Sequence, residues 1–183
     1  MTNQKNLYFC ISILWYLTAL VLILSSLGCS QSSTDSIQPT GLVVKFDCIP
    51  LPQEPQNAKV VSIIDGDTIK IEIDRQKVNV RYIGINSPEL DSNEREIAEE
   101  ALQFNAGLVE NQIVTLYRDT SDTDRFGRLL RYVFMDDVFV NYELIRMGYA
   151  RQRDYPPDSA CKDLFIKAQQ EAIAMRRGIW KTQ

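Results

Sequence analysis

From residue 69 to residue 82 the chain alternates. Ile69, Ile71 and Ile73 are separated by Lys70, Glu72 and Asp74. After a break at Asp74-Arg75-Gln76 the pattern resumes, with Val78, Val80 and Tyr82 set against Asn79 and Arg81. A period of two sends every second side chain to one face of an extended backbone, whereas a helix would scatter these residues around its circumference. The segment therefore reads as two half-buried strands joined by a tight turn. Residues 59–64 form a further β-branched run, and residues 113–117 and 129–134 read as two more strands. Asp136-Asp137 then turns the chain into residues 138–140. Five or so short strands, each apolar on one side, must bury that side against another layer or by closing on themselves.

Three segments carry the helical period instead. Residues 94–108 place Ile97, Ala101, Phe104 and Leu108 on one stripe, and Asp91, Glu94 and Glu96 suit the positive end of the helix dipole. Residues 142–147 form a short helix after Asn141 and stop at Gly148. Residues 159–176 turn Cys161, Leu164, Phe165, Ala168, Ala172 and Met175 inward. Arg176 and Arg177 lie at the negative end of that helix, with Gly178 beyond. The fold class expected is β-rich α+β: a small closed barrel with attached helices.

What such a domain can do is narrowed by what the chain lacks. It contains no histidine. Ser-His-Asp and Cys-His nucleophile systems and imidazole-ligated metals are excluded, so any catalysis falls to carboxylates, arginines and a hard cation. The net charge is −4. A protein that coats nucleic acid neutralises many phosphates and is strongly basic, which this chain is not. An acidic protein acts on nucleic acid through a local group of arginines, an arrangement that suits turnover better than retention.

Residues 1–29 are a separate object. Lys5 is their only charge, residues 7–24 are almost continuous hydrocarbon, and Ser25-Ser26-Leu27-Gly28-Cys29 follows. The pattern resembles a bacterial lipoprotein signal with Cys29 as the lipidated residue, although Ser26 stands where Leu is usual. The run is also long enough to serve as an uncleaved membrane anchor. Both readings place the rest of the chain outside the cytoplasm, tethered to the cell membrane, or secreted. Residues 30–57 are a polar and then proline-rich tether containing Pro50, Pro52 and Pro55, and the folded domain is expected over residues 58–183. Cys48 and Cys161 remain as one disulfide in an oxidising compartment; the alternative is a free Cys48 and a Cys161 buried as a small apolar residue.

The chemistry-bearing segments are Asp65-Gly66-Asp67-Thr68, Arg81, Asn86-Ser87-Pro88-Glu89 and Asp124-Arg125-Phe126-Gly127-Arg128. Together they supply hard oxygen ligands, a spare carboxylate and two arginines, and the Gly-containing turn is expected to aim the Asp67 carboxylate outward. Such a set binds a divalent cation, activates water and neutralises a phosphate. In this order and spacing, with Arg176-Arg177-Gly178-Ile179-Trp180 near the end, the chain resembles the staphylococcal nuclease (thermonuclease) family over about residues 58–181. The resemblance implies an OB-type five-stranded β-barrel with three helices. It also implies calcium-dependent hydrolysis of phosphodiester bonds in DNA and RNA, with little sequence preference.

On that resemblance Asp67, Asn86 and Ser87 hold the metal, Asp67 as a charged oxygen donor and Ser87 through its backbone carbonyl. Asn86 stands where the best-known members have aspartate, which implies weaker calcium binding, tolerance of other divalent ions or lower activity. Asp65 is close enough to support Asp67 without ligating. Glu89 is the candidate general base for the attacking water. Arg81 and Arg128 are the candidate phosphate clamps, planar donors that stay charged at any working pH; an arginine in the apolar strand of Arg81 either reaches for solvent or is functional. Arg125 and Phe126 match a basic residue and a tyrosine that contact a terminal phosphate, but Phe126 lacks the hydroxyl. Tyr155 is the match for a base-stacking aromatic, in a region that also holds Tyr149, Arg151 and Arg153. Asp119, Asp122 and Asp124 fail the EF-hand spacing and read as a polar loop. The protein is expected to act as a monomer on DNA and RNA. The rival reading is a non-catalytic OB-type module of the same family that binds nucleic acid or a protein.

Overall fold

The computed structural model of the protein describes residues 46–181. The apolar run, Cys29 and the polar stretch up to residue 45 lie outside the described residues. None of the described helices is long and apolar enough to cross a membrane.

The alternating segments form the barrel. Strands β1 (Gln56–Asp65), β2 (Thr68–Ile73) and β3 (Gln76–Tyr82) make an antiparallel meander. Strand β5 (Ile113–Tyr117) pairs with β1, and β6 (Leu129–Met135) pairs with β5. Parallel pairing of β3 with β6, from Val80 opposite Leu129 to Tyr82 opposite Arg131, closes five strands into a mixed barrel of the OB type. Short β7 (Val138–Phe139) continues from β6. A separate two-stranded pair joins β4 (Ile85–Asn86) to β8 (Arg151–Gln152). Closure explains the alternation: Val60, Ile69, Ile71, Val80, Val114 and Leu116 fill the interior, while Lys59 and Glu72, next to Val60 and Ile71, are exposed. The β2–β3 turn is tighter than the three residues expected: Gln76 already pairs with Ile73, leaving Asp74 and Arg75 as a two-residue hairpin loop, both at positive φ (50° and 64°), which matches the right-handed twist of the strands.

Three α-helices among the described residues pack outside. Helix α1 (Arg95–Val109) buries Ala98, Ala101, Asn105 and Val109. Its inward stripe is thus turned by about one residue from the expected one; Phe104 and Leu108 are only partly buried at the core margin. The reason is close approach: small residues let the helix sit directly on the β1–β2 turn. A Cβ added at Gly66 would lie 2.8 Å from the Ala101 Cβ. Helix α2 (Val140–Arg146) starts earlier than expected. Asn141 lies inside it, fully buried, accepting from the Val133 N–H (2.9 Å) and donating to the Ile83 carbonyl (3.0 Å). Helix α3 (Lys162–Ala174) is shorter than expected at both ends. Met175 is 63% exposed, not inward, because the chain leaves the helix there and turns through Arg176 at positive φ.

Cys48 and Cys161 are joined by a disulfide that closes a separation of 113 residues. Phe46 packs its ring on Phe134, Phe139 and Tyr142. The final part of the stretch read as tether is therefore fastened to the barrel, and β1 begins inside it, at Gln56.

Candidate active site

The Asp65-Gly66-Asp67 turn is fixed from every side. The Asp65 carboxylate accepts from the Asp67 N–H (2.9 Å), and the Asp67 carbonyl accepts from the Tyr82 N–H (2.9 Å). The Asp67 side chain points into the molecule, not outward; the residue is 4% exposed. One of its oxygens accepts from the Ser87 N–H at 2.7 Å and faces the Arg81 guanidinium at 3.1 Å. The other accepts from the Thr68 hydroxyl at 3.1 Å. Burial pushes the Asp67 carboxyl up to about 7; Arg81 opposes the rise, and the Asp65 charge adds to it.

Arg81 does not reach for solvent. It turns inward from β3, donating to the Tyr82 carbonyl (2.9 Å) and the Asn86 side-chain oxygen (3.1 Å) as well as pairing with Asp67. Asn86 lies on β4, its amide N–H on the Ser87 carbonyl (3.3 Å). Glu89 follows Pro88 and is exposed; its carboxylate has no ion-pair partner among the described residues. Arg128 is held by Asp124, through Nε and Nη2 at 2.8 Å each. Asp124 also accepts from the backbone N–H of Phe126 and of Arg128. Burial works against that charge, but these donors outweigh it and hold the Asp124 carboxyl below the usual range.

Asp65, Asp67, Arg81, Asn86, Glu89 and Arg128 line one cavity of about 600 Å³. Arg125, Phe126 and Tyr155 line it too. Phe126 is 68% exposed with the Arg125 guanidinium 4.7 Å from its ring centre, and Tyr155 is 46% exposed with Arg153 at 5.9 Å. Tyr149 does not line it and packs on Phe104 at 5.0 Å. Asp119 and Asp122 are spent on Tyr132 and Arg131, as befits a polar loop.

The donors on the cavity wall are oxygens, the Asp67 and Asp65 carboxylates and the Asn86 amide; Ser87, expected as a ligand through its carbonyl, is buried behind that wall with the carbonyl on the Asn86 amide N–H. The wall oxygens fit a hard divalent cation, which would offset the unfavourable burial of the Asp67 charge. Among the described residues no three acidic, cysteine or histidine side chains gather as a metal site. Asn86 accounts for this, since an aspartate there would supply a third carboxylate.

Two cavity or near-cavity residues escape a reading of sequence motifs. Asp158 lines the wall, 5% exposed, accepting from the N–H groups of Thr120 and Ser121. Asn105, fully buried on α1, accepts from the Tyr82 hydroxyl (2.9 Å) and donates to the Asp65 carbonyl (3.2 Å). The one available signal for Asn105 is a polar residue four positions after Ala101, on the helix face that is otherwise apolar.

The chain is similar in sequence to known proteins. The family model described as staphylococcal nuclease homologue matches residues 79–182. The thermonuclease of Staphylococcus hyicus is 34% identical over 128 residues, covering 68% of this chain and 76% of the relative. The thermonuclease of Staphylococcus intermedius is 36% identical over 125 residues, covering 67% and 74%. Endonuclease YncB of Bacillus subtilis is 34% identical over 139 residues, covering 70% and 66%.

Proposed function

The chain belongs to the staphylococcal nuclease family, and on that premise we propose that it is an exported, metal-dependent nuclease whose working residues are those of the cavity just described. It is a hydrolase of phosphodiester bonds with nucleic acid as its substrate. The observation that carries the assignment of roles is the convergence of Asp67, Arg81, Asn86, Glu89 and Arg128 on one cavity.

Asp67 and Asn86 hold the cation, calcium or another divalent ion. When bound, that ion supplies positive charge to the non-bridging oxygens of the phosphate. Arg81 is already oriented by Asp67 and Asn86, and Arg128 by Asp124, so both guanidinium groups meet growing negative charge without reorganising. Glu89, exposed and without an ion-pair partner among the described residues, orients water for in-line attack and accepts its proton as the new phosphorus–oxygen bond forms, while the ester oxygen on the opposite side departs and takes a proton from solvent. Arg125 and Tyr155 contact the flanking nucleotides of DNA or RNA with slight sequence preference, since stacking does not read base identity.

Export is supported by two observations. The first 29 residues have the pattern of a lipoprotein signal or membrane anchor, with Cys29 as the lipid acceptor. The Cys48–Cys161 bridge suits an oxidising compartment.

The purified protein incubated with single-stranded DNA and calcium is expected to cleave it, and chelator is expected to stop cleavage. Glu89→Gln and Arg128→Ala should cleave on the order of a hundredfold more slowly while still binding DNA. Binding without cleavage across a range of divalent ions would favour the non-catalytic module.

A further inference from the structure

Asn105 is the polar exception on an apolar face. Ala98, Ala101 and Val109 share its side of α1, and like Ala101 and Val109 it is wholly buried. A buried amide costs stability unless each of its polar atoms finds a partner, and leucine would fill such a position at lower cost. Both Asn105 partners belong to segments that carry the site. Its oxygen accepts from Tyr82, the neighbour of Arg81 on β3, and its nitrogen donates to the carbonyl of Asp65. Tyr82 in turn donates its N–H to the Asp67 carbonyl. The loop of contacts thus runs from helix α1 to the arginine strand and to the acidic turn. Steric contact reinforces it: Gly66 sits so close to Ala101 and Ser87 that no side chain would fit.

We propose that Asn105 is a positioning residue for the cation-binding turn, holding Asp65 and Asp67 in register with Arg81 through the Asp65 carbonyl and the Tyr82 hydroxyl. The role in cation binding rests on the function proposed above; the role in ordering the turn does not. Asn105 touches neither substrate nor metal. Its effect reaches the site because the Asp67 carboxylate is aimed by the turn it stands on, and partners of a ligand-bearing segment set how well that ligand is preorganised.

The test compares Asn105→Leu with Val109→Ala, a cavity-forming change on the same helix face that touches no part of the loop of contacts. Two readouts are used: calcium affinity by titration calorimetry with the ion alone, and hydrogen exchange at the Asp67 and Ser87 amides. Asn105→Leu is expected to weaken calcium binding on the order of tenfold and to speed exchange at those two amides, leaving the Val114 and Leu116 amides as they are. Val109→Ala is expected to lower the melting temperature and move neither readout. Wild-type values for both readouts in Asn105→Leu, or equal changes in Val109→Ala, overturn the proposal. If Asn105→Leu does not fold, Tyr82→Phe decides in its place: it keeps the ring and removes only the hydroxyl that orients Asn105. Should the wild-type protein take up no calcium, the metal-dependent reading fails, and the exchange rates alone judge Asn105.

Discussion

Replacing Asp67 by asparagine should stabilise the metal-free protein while abolishing its activity, and the gain should grow with pH. The carboxyl is raised from 3.8 to about 7 by burial, with Arg81 opposing. A group whose folded-state pKa lies above its unfolded value binds its proton more tightly in the native state, so its contribution to stability is full below pH 3.8 and is lost as pH rises through 7. At about 1.4 kcal/mol per pH unit, the ionised carboxylate costs the native state roughly 4 kcal/mol above neutrality. That figure already sets the attraction of Arg81 and of the Ser87 N–H against burial, so asparagine, neutral like the protonated carboxyl, escapes it and gives up only about 1 kcal/mol of hydrogen bonding that does not vary with pH. The gain therefore follows the ionisation of Asp67 and is largest above neutrality. Between pH 5 and pH 8 the advantage of Asp67→Asn should grow by roughly 3 kcal/mol, since all other titrating groups are common to both proteins. Urea denaturation in chelator at the two pH values measures this directly. Calcium should reverse the order by binding the native wild-type protein and not the variant. A difference in stability that is flat from pH 5 to pH 8 would refute the claim that burial sets the Asp67 charge.

Other expectations follow from the same contacts. Arg128→Ala should lower kcat on the order of a hundredfold, and Asp124→Asn should lower it by a smaller factor, because Arg128 would remain but lose the carboxylate that aims it; steady-state rates on single-stranded DNA decide both. Asn86→Asp adds a third carboxylate at the cation site and should tighten calcium binding on the order of tenfold, read by titration calorimetry. Cys48→Ala opens a loop of 113 residues. By loop entropy the bridge contributes about 5 kcal/mol, so the melting temperature should fall by roughly 15 °C, and reductant should do the same to the wild type but nothing to the variant.

Much of the fold was legible because the barrel is built from alternation. The isoleucines of β2 and the valines of β3 could face only one way, and the short polar break between them had to turn the chain, although Gln76 proves to belong to the strand. Helix boundaries were less legible because tertiary contacts set them. Asn141 reads as a residue before a helix, yet its side chain is used to tie α2 to β6 and to the Ile83 carbonyl. The face of α1 was misjudged for a related reason. Hydrophobicity favours Phe104 and Leu108 as the buried side, but the acidic turn needs a neighbour without bulk, and Ala101 provides it.

The site divides along the same line. Residues that bear charge within short motifs were identifiable one by one, because a cation, a water and a phosphate call for particular functional groups. How they meet was not, since Asp67, Arg81 and Asn86 are brought together by strand register and by the β4–β8 pair, neither of which is written in any motif. The expectation that Asp67 points outward failed for this reason. A solvated carboxylate is stable anywhere, and only the packed turn shows that this one is sealed beneath Ser87 and Arg81. That inward placement makes Arg81 more than a phosphate donor. It is also the counter-charge that lets Asp67 be buried at all, so removing Arg81 should raise the Asp67 carboxyl further and weaken cation binding before any substrate arrives. Arg81→Ala should therefore lower calcium affinity in the absence of nucleic acid, by titration calorimetry at pH 7, whereas Arg128→Ala should leave it unchanged. Equal calcium affinities for the two variants would mean that Arg81 serves the phosphate alone.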